Sequence, residues 1–141
     1  MTPSTHYYVL SLGERTITLF EAFRDFLIEV ENQGFPVISP SPASGALDDR
    51  QLGELMRTVD KSLGYYYTLD PLRVVVVGEK YMQSAFHSVM THRAAVIGRV
   101  EGDHTATSPR DLGQIVWPEV RRVMSGVLDD AMGNLICGDP G

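Results

Sequence analysis

The residues of this chain could support three kinds of chemistry: metal-bound carboxylates, histidine bases, and a row of cations that meets phosphates. A two-metal site needs several carboxylates that converge, so that their charge holds two divalent ions about 4 Å apart. Asp60 and Glu79 lie near suitable places, yet the opening segment HYYVLSL, where the first ligand would be needed, carries no acid. The plain readings are a solvated helix flank for Asp60 and a helix N-terminal charge for Glu79. His87 and His92 are five residues apart, whereas two ligands on one helical face need a spacing of three or four, so both read as surface residues. His104 follows Asp103 in the polar stretch EGDHTATSP, where a base and its carboxylate could pair, although neighbours in a loop rarely converge on one site. G-x-S-x-G, G-x-x-x-x-G-K-[ST] and G-x-G-x-x-G motifs are absent. Cys137, in a glycine-rich terminal stretch, has no nearby His or Lys to activate it. No catalytic residue, metal site or cofactor is therefore expected.

Arg50, Arg57 and Lys61 stand at helical offsets 0, 7 and 11, a polar stripe interrupted by Glu54. Such a row could meet nucleic-acid phosphates, which fix position without reading sequence; the plain reading is a solvated face with an Arg50–Glu54 pair. Tyr65, Tyr66 and Tyr67 are consecutive and so point in three directions. At least one must be exposed, while core packing accounts for the others and for Trp117.

The elements that must position these residues belong to one domain. The chain has 141 residues, 43% hydrophobic and 21% charged, with a net charge of −6, which fits a single globular domain and excludes a generic polycation. One cysteine excludes an intrachain disulfide and any multi-thiolate metal site, and agrees with a reducing, cytoplasmic compartment. The apolar run Val74 to Val77 has only four residues, and MTPSTHYYV lacks a basic and then apolar leader, so neither a membrane span nor a secretion signal is expected.

Two β-rich segments, His6 to Leu12 and Thr16 to Phe20, flank the hairpin-length Gly13-Glu14-Arg15. A third, Phe26 to Glu31, alternates through Ile28 and Val30 and ends in Asn32-Gln33-Gly34. After Phe35-Pro36, VISPSPASGALDD predicts a loop, because its prolines, serines and glycine can neither continue a sheet nor start a helix. Asp48 and Gln51 form a capping box. The apolar series Leu52, Leu55, Met56, Val59, Leu63, Tyr66 and Tyr67 then predicts a helix of about 20 residues, ending before Asp70-Pro71. Arg73 to Val77 suits a strand covered on both faces. A helix through Tyr81, Ala85, Phe86, Val89 and Met90, and a strand over Ala94 to Val100, follow. Ser108-Pro109-Arg110-Asp111 starts a last helix that contains Pro118 and reaches Gly133-Asn134. The expected core spans about 6–133, with 134–141 as a tail. The resulting order, β-β-β-α-β-α-β-α, predicts an α/β fold with one five-stranded mixed sheet, the wiring of the RNase H-like fold.

Along most of the chain, from about Tyr7 to Leu128, an ordered set of segments carries a resemblance: YYVLSLGERTITLFEAF, the Phe35-Pro36 step into a variable loop, MRTVDKSLG, PLRVVVVGEKYMQSAF and DLGQIVWPEV. The set is similar to the central domain of archaeo-eukaryotic-type peptide release factors, and specifically to the bacterial group's family 3. In that superfamily a Gly-Gly-Gln loop enters the peptidyl transferase centre and promotes hydrolysis of peptidyl-tRNA. The matching segment here, Pro36 to Asp49, reads PVISPSPASGALDD, with Gly45 as its one glycine. The resemblance thus implies a translation-associated, ribosome-interacting module without the hydrolytic loop, and non-catalytic by that mechanism. Ser39, Ser41, Ser44, Gly45 and Asp48 occupy the family's functional position, and Arg50, Arg57 and Lys61 would be the stripe that faces ribosomal RNA or tRNA. The resemblance covers the central domain alone, so further domains of the family or a second copy are open as partners. Two other readings remain open: a protein-interaction or dimerisation domain without RNA, and a hydrolase acting through the 39–49 loop.

Overall fold

In the computed structural model, residues 6–39 and 47–136 are described, with side chains along the last helix as far as Val123. Strand β1 (His6–Leu12) sits near the middle of the sheet, between antiparallel β2 (Thr16–Phe23) and parallel β5 (Val74–Gly78). Beyond β2 lies β3 (Phe26–Val30), and beyond β5 lies β6 (Val96–Glu101), again parallel. The order β3-β2-β1-β5-β6 joins a three-stranded meander to two parallel strands, as RNase H-like wiring requires. A sixth strand corrects the expected count of five: β4 (Val37–Ile38) pairs with β2 at Ile17 and Thr16. The prolines that argued against sheet structure begin only after Ser39, so two residues are free to take up the ladder.

Alternation along β1 divides the interior into two cores. Tyr8, Leu10 and Leu12 face α1 (Asp49–Leu69) and α2 (Lys80–Val89), where they meet Leu55, Met56, Val59, Leu63, Met82 and Phe86. Tyr7 and Val9 face α3 (Pro109–Ile136) and pack with Leu112, Val116 and Val120. Strand β5 is buried along its whole length because helices cover both of its faces. At the β3 edge the two faces differ: Leu27 is buried toward α3, whereas Ile28 is 48% exposed.

The capping box forms as predicted, with Gln51 N–H donating to Asp48 Oδ1 at 2.7 Å and Asp48 N–H donating to Gln51 Oε1 at 3.0 Å. Ser108 Oγ accepts from Asp111 N–H at 3.1 Å and opens α3. That helix runs through Pro118 and past Gly133-Asn134 to Ile136, so the last turn belongs to the helix and not to a tail.

Candidate functional site

The segment that follows Phe35 begins where the parallel strands end. Ile17 pairs with both Leu12 and Val37, and Leu12 pairs with Gly78, so β4 delivers the chain to the carboxyl edge of β1 and β5. There Ser39 N–H donates to Arg15 O at 2.8 Å, and its side chain is buried, its Oγ without a hydrogen-bond partner among the described residues. Ser39 is thus an anchor and not a projecting group. At the other end Leu47 packs against the α1-side core and Asp48 caps α1. Both ends of the segment are therefore held by the fold. Ser41, Ser44 and Gly45 lie outside the described residues.

In α/β sheets the carboxyl edge is where ligands enter, at the point where neighbouring strands lead off in opposite directions. Strands β1 and β5 make such a point, since β1 leads to β2 and β5 leads toward β6. Here side chains close the crevice. Tyr81 Oη donates to Glu14 Oε1 at 2.9 Å, and Thr105 packs so tightly on Gly13 that a Cβ there would collide with it. Burial, then the Glu14 hydrogen bond and the charges of Glu14, Glu79 and Asp103, push the Tyr81 phenol up to about 12. Asp103 accepts from both the backbone N–H of Thr105, at 2.9 Å, and its hydroxyl. Burial pushes the Asp103 carboxyl up, but hydrogen bonds from Thr105 and the Glu14 backbone, with the nearby His104, together carry it below its ordinary value. Nothing in the one-dimensional pattern joined Tyr81 to Glu14; the Asp103-x-Thr105 turn did have a legible signal.

Elsewhere the predicted residues are distributed, not gathered. Asp60 is no idle flank: its carboxylate accepts from Thr91 N–H at 2.9 Å and from the Thr91 hydroxyl at 2.8 Å, tying α1 to the chain after α2. Glu79 is the residue before α2, at the opposite end of that ten-residue helix. The length of α2, about 15 Å, keeps the two acids from sharing an ion pair of metals. Among the described residues no cluster of three or more His, Cys, Asp or Glu side chains could hold a metal ion. His104 Nδ1 meets Thr107 Oγ1 at 3.1 Å while Asp103 turns to Thr105, so the neighbouring pair does not act on one point. His87 is exposed, and His92 stacks on Tyr67 with centroids 4.2 Å apart. Tyr66 Oη donates to Asn32 O at 2.9 Å, which leaves Tyr65, 44% exposed, as the outward member of the three.

Arg50, Arg57 and Lys61 all lie on the exposed side of α1. Arg50 Nη1 is 3.4 Å from Glu54 Oε1, the expected pair. Arg57 and Lys61 have no ion pair among the described residues.

Sheet order and helices on both faces define an RNase H-like α/β module. The chain belongs to the bacterial archaeo-eukaryotic release factor family 3, whose model matches residues 6–135. No curated protein matches it. Membership connects the chain to translation. Among the described residues no helix is long and apolar enough to cross a membrane.

Proposed function

We propose that this chain is a ribosome-interacting release-factor-like module that does not itself hydrolyse peptidyl-tRNA. The observation that carries the reading is the family match over 6–135 combined with a Pro36 to Asp49 segment that holds one glycine and no Gly-Gly-Gln. Family kinship supports a translation-related partner, and the missing tripeptide removes the group by which the superfamily promotes hydrolysis. Arg57 and Lys61, which have no ion pair among the described residues, stand on the helix that begins where the segment ends and supply a contact for ribosomal RNA phosphates. The net charge of −6 restricts that contact to a local patch.

Co-sedimentation with purified ribosomes tests the reading. Binding is expected at low salt, weakening as salt rises, and the double substitution Arg57→Glu, Lys61→Glu is expected to weaken it about tenfold or more. Peptidyl-tRNA mixed with the protein and ribosomes is expected to stay intact. Failure to pellet at any salt would remove the ribosomal role, and turnover lost on deleting residues 40–46 would instead establish a hydrolase.

A further inference from the structure

Strand β6 ends the sheet, and among the described residues no strand lies beyond it. Gly102 N–H donates to Gly78 O at 3.0 Å, so by the alternation of a parallel ladder residues 98, 100 and 102 turn their backbone groups toward β5. The N–H and C=O groups of Arg99 and Glu101 therefore point outward, a row of donors and acceptors that can template another strand. Helix α2 stands off from this edge and leaves a groove of about 520 Å³, with Lys80, Gln83, His87, Arg99 and Glu101 along it. Among the described residues strand β6 is thus open along its rim, and only side-chain contacts bridge the groove to α2.

The two outward residues carry opposite charge and share one face, and neither is strongly engaged within the chain. Arg99 Nη2 meets His87 Nδ1 at 3.0 Å, an imidazole and not a carboxylate. Glu101 Oε1 is 4.0 Å from Lys80 Nζ, with both side chains well exposed. Opposite charges two residues apart are self-complementary under a twofold axis. The other rim, β3, carries Glu29 as its one charge and has no such partner to offer itself.

We propose that β6 pairs antiparallel with β6 of a second copy of this chain, about a twofold axis at Val100. Arg99 then stands opposite Glu101 of the partner subunit on both sides of the axis. Arg99 N–H donates to the carbonyl of Glu101 of the partner subunit and its own carbonyl accepts in return, so the twofold makes four backbone hydrogen bonds and two ion pairs. Val100 faces Val100 of the partner subunit in the closer, non-hydrogen-bonded position. Charge selects this register: the two neighbouring ones permitted by the outward groups set Arg99 against Arg99 of the partner subunit, or Glu101 against Glu101 of the partner subunit. Such an interface is isologous and closes on itself, so it makes a dimer and no fibre.

Sedimentation equilibrium of the whole chain from about 10 µM to about 1 mM at low salt tests the pairing. A monomer–dimer equilibrium is expected. Arg99→Glu alone and Glu101→Arg alone each place like charges opposite one another twice, and are expected to raise the dissociation constant about tenfold or more. The double reversal Arg99→Glu, Glu101→Arg restores complementarity and is expected to return association to the original level, which loss of the His87 or Lys80 contacts would not do. Circular dichroism on each variant confirms that the monomer is folded. A chain that stays monomeric throughout the range, a dimer indifferent to both single reversals, or a double reversal that fails to restore it would each overturn the proposal.

Discussion

Asp103 shows how one side chain can hold a junction. Its carboxylate receives Thr105 twice, and Thr105 packs against Gly13, which joins the β6–α3 connection to the first hairpin. A carboxyl held below its ordinary value in the folded state contributes stability above its unfolded pKa, and that contribution disappears as pH falls through the lowered value. Thermal melts of the parent chain should therefore lose stability on acidification below about pH 5, where an unperturbed carboxylate begins to titrate. Asp103→Asn should be less stable near neutral pH and should lose less on the same acidification. An equal loss in both proteins would refute the assignment. Two glycines make a matched pair at the same scale. A Cβ on Gly113 would overlap Asp25 O in the β2–β3 turn, whereas one on Gly64, inside α1, would meet nothing within 4 Å. Gly113→Ala is expected to destabilise by about 1–3 kcal/mol through overpacking, and Gly64→Ala to stabilise by about 0.5–1 kcal/mol through helix propensity. Urea titrations of the two variants should move in opposite directions.

Elements explain why the candidate site sits where it does. Helix α1 starts at the end of the segment 39–48, and its first turn depends on Asp48, which accepts from Gln51 N–H. Asp48→Ala should cost about 1 kcal/mol by leaving an orphan donor, and amide exchange in the first turn of α1 should speed up before exchange elsewhere in the helix. The apolar face of α1 was legible in the sequence because a 3.6-residue period repeated over five turns leaves little ambiguity. Strand β4 was not legible. Two residues carry no periodicity, and Val37 and Ile38 become a strand only because Ile17 and Thr16 present a free edge to them. The β3 edge shows the same limit: Ile28 and Val30 alternate as read, but the pattern does not say that Ile28 stays exposed.

At the scale of the molecule, one sheet separates two cores that, among the described residues, share no side chain. Met56 is fully buried in one and Val116 in the other. Truncating a buried Met costs about 2–5 kcal/mol, a large part of the about 5–15 kcal/mol that holds a domain together. Met56→Ala and Val116→Ala should both lower the unfolding midpoint and keep a single transition with coincident circular dichroism and fluorescence, since β1 and β5 contribute to both cores. Two transitions would mean that the halves unfold independently. The residues alone determined the order of the longer strands and helices, the capping box, the buried face of α1, and the absence of a Gly-Gly-Gln tripeptide, because each is written in local spacing or identity. Tertiary structure decided that Ser39 is an anchor, that Asp60 clasps Thr91, that Tyr81 and Glu14 close the carboxyl edge, and that Arg99 and Glu101 lie on an open rim. Those facts depend on contacts between segments far apart in the chain, and local pattern carries no information about which distant residue arrives at a given place.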